Sequence, residues 1–301
     1  MSDQTARSRG AFDVELLLRP LDGPQPAGRD LTDEDEYQSI RDHRRADVAI
    51  VLRNDPFDKS RLLFQKPDQK TSDWNAVVRL GSEALRVKTK DLQIAAWVAE
   101  AQGWLRGFEG LRDGFRLLLE LQERFWADAY PNLDPDDPES RYGPYDFLNS
   151  EKVLPLLIRS LPLTRGSDGE SYCHADLAST TQNDELIRAN PDVERQSLRG
   201  PNKVRSEDWE RAVAQTPRAF YEERTSELTT CLDAFNAWEE STVALFPRGP
   251  RGQSLAPSLS NIRRALSACR DLVASILDAK PAPAPAAEPE PEPEPETPRA
   301  D

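Results

Sequence analysis

The residues with chemical potential are few and scattered. Cys173-His174 pairs a thiol with an imidazole, but the chain has one other histidine, His43, and three cysteines in all. A structural zinc site needs about four ligands at characteristic spacings, and no CxxC is present. "LDPDDPES" (Leu133 to Ser140) gathers four carboxylates. Read as a calcium loop from Asp134, it puts Pro138 at the fifth position, Glu139 where glycine must turn the chain, and Tyr145 where a bidentate Glu belongs. It reads instead as an acidic, proline-broken turn. "GQSLA" (Gly252 to Ala256) has the serine of a nucleophile elbow without its second glycine. No glycine-rich loop can cradle a phosphate. Acids abound, yet none stands on an otherwise apolar face, where burial would raise a catalytic pKa. The residues therefore assemble no catalytic, cofactor-binding or metal-binding set.

What the sequence organises well is apolar surface at helical spacing. In "TSDWNAVVRLGSEAL", Trp74, Val77, Val78, Gly81, Ala84 and Leu85 fall on one helix face, behind a cap at Thr71 or Ser72. Ile94, Trp97, Val98, Ala101 and Leu105 make a second stripe. Phe108, Leu111, Phe115, Leu118, Leu119, Gln122 and Phe125 continue it. Gly103, Gly107 and Gly110 predict a break between two antiparallel helices, and with Gly114 they allow a tight helix crossing. Tyr130-Pro131, Pro135 and Pro138 close this block. "LTDEDEY" (Leu31 to Tyr37) reads as a helix start, where acids meet the positive end of the macrodipole.

A later stripe runs through Phe220, Leu228, Cys231, Leu232, Phe235, Trp238 and Leu245. The final helix carries Leu259, Ile262, Leu266, Cys269, Val273 and Ile276 behind Ser258. Cys231 and Cys269 are core positions on these stripes. "VAIVL" (Val48 to Leu52) is the one short β-branched run. "DWNAVV" and "DWERAV" echo each other, too briefly to make a repeat.

The predicted fold is all-α. Residues 1–10 are expected to be disordered, 11–165 to form a helical N-terminal domain, and 166–205 a polar loop or linker. Residues 206–280 then form a second, smaller helical region, and 281–301 a disordered Pro/Glu tail. That tail holds eight Pro, and one Arg against five Glu and one Asp, for a charge of −5; it cannot bury enough apolar area to order itself and should be extended and semi-rigid. Net charge is −14, which argues against nucleic acid and against an anionic membrane surface. No stretch approaches the ~18 apolar residues of a membrane span. The N-terminus lacks a signal-peptide pattern, and the odd, widely spaced cysteines suit a reducing compartment. The expectation is a cytoplasmic protein.

Several linear motifs occur in a telling order. "LLLRPLDGPQPAGRDL" and "EYQSIRDHRRAD" resemble the N-terminal signature of the TssA (ImpA-related) family of type VI secretion. So does the run from "DWNAVV" through "KDLQIAAWVAEAQGWLRGFEGLRDGF" to "FWADAYP", followed by "RYGPYDFLN" and "RSLPLT". The match is dense from about Ser72 to Thr164, looser from about Val14 to Asp47, and thinner from about Trp209 to Ile276. Ala27 stands where the family often has Cys, and Thr89 where it often has Ser.

The motif positions carried over are Pro20, Gly28, Asp30, Leu31, Asp73, Trp74, Lys90, Asp91, Leu92 and Trp97. They continue with Gly107, Phe108, Gly110, Leu111, Gly114, Trp126, Pro131, Arg141, Leu148, Pro162 and Leu163. The resemblance implies structural or interface roles for them. It also implies a non-enzymatic assembly scaffold without a cofactor, whose partners are the baseplate, sheath and tube proteins of the secretion machine. Trp74, Trp97 and Trp126 are expected to be mainly structural. Family members usually continue into a ring-building domain. A Pro/Glu tail stands there in this chain, so the expectation is a monomer or small oligomer, with no nucleic acid partner and no membrane insertion. The alternative is a helical adaptor working outside a secretion machine.

Overall fold

The computed structural model describes residues 12–45, 71–134, 136–166, 171–189 and 204–281. The predicted N-terminal disorder, the "VAIVL" run and nearly all of the Pro/Glu tail lie outside the described residues. Among the described residues ten α-helices follow one another: α1 (Val14–Leu17), α2 (Asp35–Arg44), α3 (Trp74–Val87), α4 (Leu92–Phe125), α5 (Gly143–Asn149), α6 (Leu154–Ser160), α7 (His174–Ala189), α8 (Ser206–Gln215), α9 (Arg218–Leu245) and α10 (Ser260–Ala279). Among the described residues there is no strand, only isolated β-bridges. The fold class is all-α, as the spacing predicts.

The organising element is α4, which is a hairpin. Gly107 sits at φ 63°, ψ −138° inside it, a region open to glycine alone. A Cβ added to Gly114 would lie 2.8 Å from the Cβ of Ala99. In a straight helix those two residues would be about 22 Å apart at 1.5 Å per residue. The chain therefore folds back at Gly107, and the predicted break falls there. Gly110 and Gly114 let the arms touch: a Cβ on Gly110 would meet the Gln102 carbonyl oxygen at 1.9 Å. The first arm is buried almost all round from Leu92 to Gly103, as befits a helix enclosed by neighbours. Its Ala95, Ala96, Ala99 and Ala101 keep those neighbours close.

α3 lies along the first arm, where Val98 Cγ2 fills the space over Gly81. Its cap is Asp73, which accepts from the Ala76 N–H at 2.9 Å, rather than the predicted Thr71 or Ser72; Ser72 Oγ instead donates to the Arg44 carbonyl. The second arm packs on α9, with Phe115 against Phe235 (5.5 Å between ring centroids) and Trp238 (5.6 Å). α10 crosses α9 and α6. It starts at Ser260, with Leu259 at the cap position, one residue beyond the start that a Ser258 cap suggested. Ser258 Oγ still accepts from the Ser260 N–H at 3.3 Å.

Two sequence expectations need correction. The stretch 166–205 is not a loop throughout, because α7 occupies His174–Ala189. Its inward positions are polar: Thr180 and Asn183 are its buried residues. Thr180 Oγ1 donates to the Leu177 carbonyl and Asn183 Nδ2 to the Val204 carbonyl. A helix buried through satisfied polar groups leaves no apolar stripe to read. The buried core is also continuous from Leu17 to Ile276, so α8–α10 complete the same core that α1–α6 begin. Leu105, assigned to the stripe of the first arm, is exposed at the hairpin tip.

Candidate interaction surface and the motif knot

Seven of the motif residues, Gly28, Lys90, Asp91, Leu92, Trp126, Pro131 and Arg141, converge on one backbone knot. Gly28 adopts φ +76° and packs so close that a Cβ would sit 2.1 Å from the Lys88 carbonyl oxygen. Around it the Arg29 N–H donates to Lys88 O and the Lys90 N–H to Ala27 O. On the other side the Tyr130 N–H donates to Lys90 O and the Leu92 N–H to Tyr130 O. Tyr130 Oη closes the ring by donating to Gly28 O at 3.1 Å. Three segments distant in sequence are thereby stitched together: the turn after Pro26, the α3–α4 connection, and the exit from the hairpin at Tyr130-Pro131.

The charged members of the knot are spent on backbone. Lys90 is fully buried, and its Nζ donates to Leu17 O (2.8 Å) and Leu85 O (2.5 Å) above the Phe125 ring. Burial pushes its pKa down to about 8. Asp91 caps α4 by accepting from Gln93 and Ile94 N–H, and burial pushes its pKa up to about 7. Arg141, also fully buried, donates to the carbonyls of Pro131, Trp126 and Ala129 and stacks over the Trp126 ring at 4.8 Å. Asp30 holds the Thr32 N–H and hydroxyl in a local turn. Leu31, Leu92, Phe108, Leu111, Leu148 and Leu163 are core. Trp97 is buried against Tyr37, centroids 4.7 Å apart. Pro20 and Pro162 are exposed.

Two buried polar links were not visible in the sequence. Arg44 Nε and Nη2 grip the Glu100 carboxylate at 2.5 and 3.1 Å. Burial raises the Glu100 pKa, and Arg44 opposes the rise. Gln122 Oε1 accepts from Tyr145 Oη (2.9 Å) and Trp238 Nε1 (3.1 Å), tying α4, α5 and α9 together. Glutamine in an apolar stripe was the available signal.

The chemistry candidates come to nothing reactive. The Cys173 thiol donates to Asp176 at 3.0 Å, and burial followed by that carboxylate pushes its pKa up to about 12. Burial likewise pushes Cys269 up to about 12 and raises Cys231. Asp134 and Asp137 cap local backbone N–H groups. Among the described residues no three His, Cys, Asp or Glu side chains cluster to hold a metal. No described helix is long and apolar enough to cross a membrane.

Among the described residues Leu16, Val87 and Val243 are exposed singly, and one adjacent apolar pair is left in the open. At the hairpin tip Trp104 is 40% exposed and Leu105 41%. The Trp104 ring stacks on that of half-buried Trp74, with centroids 5.9 Å apart and planes 15° from parallel. Trp74 is thus one wall of a surface platform as well as a core neighbour. Trp104 falls at helical spacing from Trp97 and Ala101, so spacing alone reads it as an inward position and gives no sign of its exposure.

Residues 18–150 match the family described as ImpA, N-terminal, type VI secretion system. The chain is 30% identical over 166 residues to the type VI secretion system component TssA1 of Pseudomonas aeruginosa PAO1. That alignment takes in 51% of this chain and 42% of the relative, so the chain spans under half of the curated relative it matches. A solved N-terminal domain, including the conserved ImpA_N region, of the TssA component from Burkholderia cenocepacia is similar with a TM-score of 0.72 and 27% identity. The correspondence covers 91% of this chain and 98% of that one. The motif knot, the hairpin and these three correspondences agree: residues 18–150 carry an ImpA N-terminal region of the type VI secretion kind, similar to that of TssA components.

Proposed function

We propose that this protein is a non-enzymatic assembly component of a type VI secretion system, acting from the cytoplasm at the baseplate or where tube and sheath grow. The observation that carries the reading is the near-complete correspondence with the N-terminal domain of a TssA component. The side-chain chemistry supports it. The buried charges of the motifs hold backbone in place, and Cys231 and Cys269 are buried while Cys173 is bonded to Asp176. The feature offered to solvent is a stacked tryptophan pair, which suits contact with another protein, because exposed aromatic anchors dominate binding energy. Its partners, on this reading, are the baseplate, sheath and tube subunits.

The test is direct binding. The full chain is immobilised and purified baseplate, tube and sheath subunits are passed over it singly, at physiological salt. Saturable binding to at least one of them is expected. Binding to none, with the chain folded by circular dichroism, would overturn the reading and favour an adaptor working outside the machine.

A further inference from the structure

We infer that Lys152, Arg159 and Arg264 form a cationic seat for an acidic segment of a partner protein, on the surface where the turn before α6 meets α10. The seat lies on other helices than the tryptophan pair, and the inference does not depend on the secretion reading.

The geometry centres on Glu151. Its carboxylate accepts from Arg159 of α6 and from Arg264 of α10, the latter at 3.1 Å. Lys152, the next residue, is exposed and has no carboxylate partner among the described residues. Three cations therefore surround one carboxylate, in a chain whose net charge is −14. Other charges along α10 are matched one to one: Arg263 pairs with Glu239 and Arg270 with Asp271.

The support is rigid. Asn149 Oδ1 accepts from the Asn261 and Ile262 N–H groups at 2.9 and 3.2 Å. Asn261 Nδ2 donates back to the Asn149 carbonyl at 3.0 Å. The Val153 N–H closes the turn on Ser150 O at 2.9 Å. The turn carrying Glu151 and Lys152 is thus pinned to the helix carrying Arg264, and cations held in place beforehand lose less entropy on binding.

Two neighbouring groups report the sign of the local field. Arg159, followed by Arg264, holds the exposed Glu151 carboxyl below its ordinary pKa. Burial, and then Arg159, lowers the His174 imidazole as well. Both shifts have the direction that nearby positive charge produces, and an incoming carboxylate meets the same field.

The size of the seat selects its occupant. α6 has seven residues, about 10 Å at 1.5 Å per residue. An extended peptide advances about 3.3 Å per residue, so three or four residues cover this face. Nucleic acid needs a longer basic stripe to displace its counterions, and an anionic membrane needs a larger basic cluster. Small arginine clusters recognise acidic motifs, since a guanidinium takes a carboxylate with two parallel hydrogen bonds. Glu151 is the resident acid that an incoming one displaces. Exposed ion pairs are weak, so displacing it costs little.

Fluorescence anisotropy on the full chain tests this, with a labelled twelve-residue peptide of alternating Glu and Ser as probe. A U12 RNA and a Lys/Ser peptide serve for comparison. The parent should bind the acidic peptide saturably, and more weakly as salt rises. Lys152→Gln with Arg264→Gln should weaken binding at least tenfold with the melting temperature unchanged. Arg19→Gln with Arg79→Gln removes equal charge from exposed positions elsewhere and should change binding less than twofold. Glu151→Gln, which removes the resident acid, should tighten it severalfold. Absence of saturable binding would overturn the inference, as would an equal loss in the Arg19/Arg79 variant, which would make the effect one of net charge. Failure of Glu151→Gln to tighten binding, or RNA or the Lys/Ser peptide binding as tightly as the acidic peptide, would overturn it too.

Discussion

Replacing Gln122 by leucine should cost this protein far more than an amide is usually worth. The Gln122 oxygen is the acceptor for two buried donors on different helices, Tyr145 Oη of α5 and Trp238 Nε1 of α9. Gln122→Leu keeps the volume and removes both acceptances. Each orphaned buried donor costs about 1–3 kcal/mol, so a loss of about 2–6 kcal/mol is expected from the two. Thr242 softens this little, since its hydroxyl remains bonded to the Trp238 carbonyl. The assay is urea unfolding followed by far-UV circular dichroism. The mechanism has a sharper signature in a cycle with Trp238→Phe, which removes the indole donor while leaving an aromatic ring beside Phe115. With that donor gone, Gln122→Leu should cost about 1–3 kcal/mol less than in the parent, a coupling expected only for groups in contact. Adding Tyr145→Phe should reduce the cost again. Strict additivity, or a Gln122→Leu variant as stable as the parent, would refute the network and the claim that it ties α9 to the hairpin.

Gly107→Ala should destabilise by about 1–3 kcal/mol, because the turn holds a backbone conformation open to glycine; thermal unfolding measures it, and an unchanged midpoint would contradict the hairpin geometry. Arg44→Ala should cost about 3–5 kcal/mol by leaving the buried Glu100 carboxylate unpaired, with Glu100→Gln on the same background recovering part of it. Asp91 has its pKa raised to about 7 by burial, so the folded state holds a proton that the unfolded state has released from about pH 4 upward. Its contribution is present below that range and is lost as pH rises through about 7, and Asp91→Asn should flatten stability between those limits while keeping the cap; an unaltered pH profile would count against it. Trp97→Ala should cost about 3–5 kcal/mol through lost burial and a cavity, read by the same melts.

The sequence announced its helices wherever their inward faces were apolar. The stripes of α3, α4, α9 and α10 could be read at once, and so could the break near Gly107. α7 escaped because Thr180 and Asn183 do its burying. The cap of α3 was placed one or two residues early, at Thr71 or Ser72, because Thr71, Ser72 and Asp73 are all capping types, and only the fold decides which oxygen meets the Ala76 N–H. The two-region division failed for a related reason. α9 is amphipathic whichever partner it has, and spacing along a chain does not name the face it meets. Of the surface, the exposure of Trp104 was hidden because it shares the helical face of Trp97 and Ala101, and exposure at a hairpin tip depends on where the arms end. The motif residues were legible as a set, but not as a knot: Gly28, Lys90, Tyr130 and Arg141 meet only in three dimensions.

The central claim is that this helical body serves the assembly of a contractile secretion machine. Its most direct test is live imaging of fluorescent sheath in a secretion-active strain lacking this gene, with and without the full chain restored. The account predicts that sheath assembly is lost or severely reduced in the deletion and returns with the full chain. Sheaths that form, extend and contract normally without it would contradict the claim.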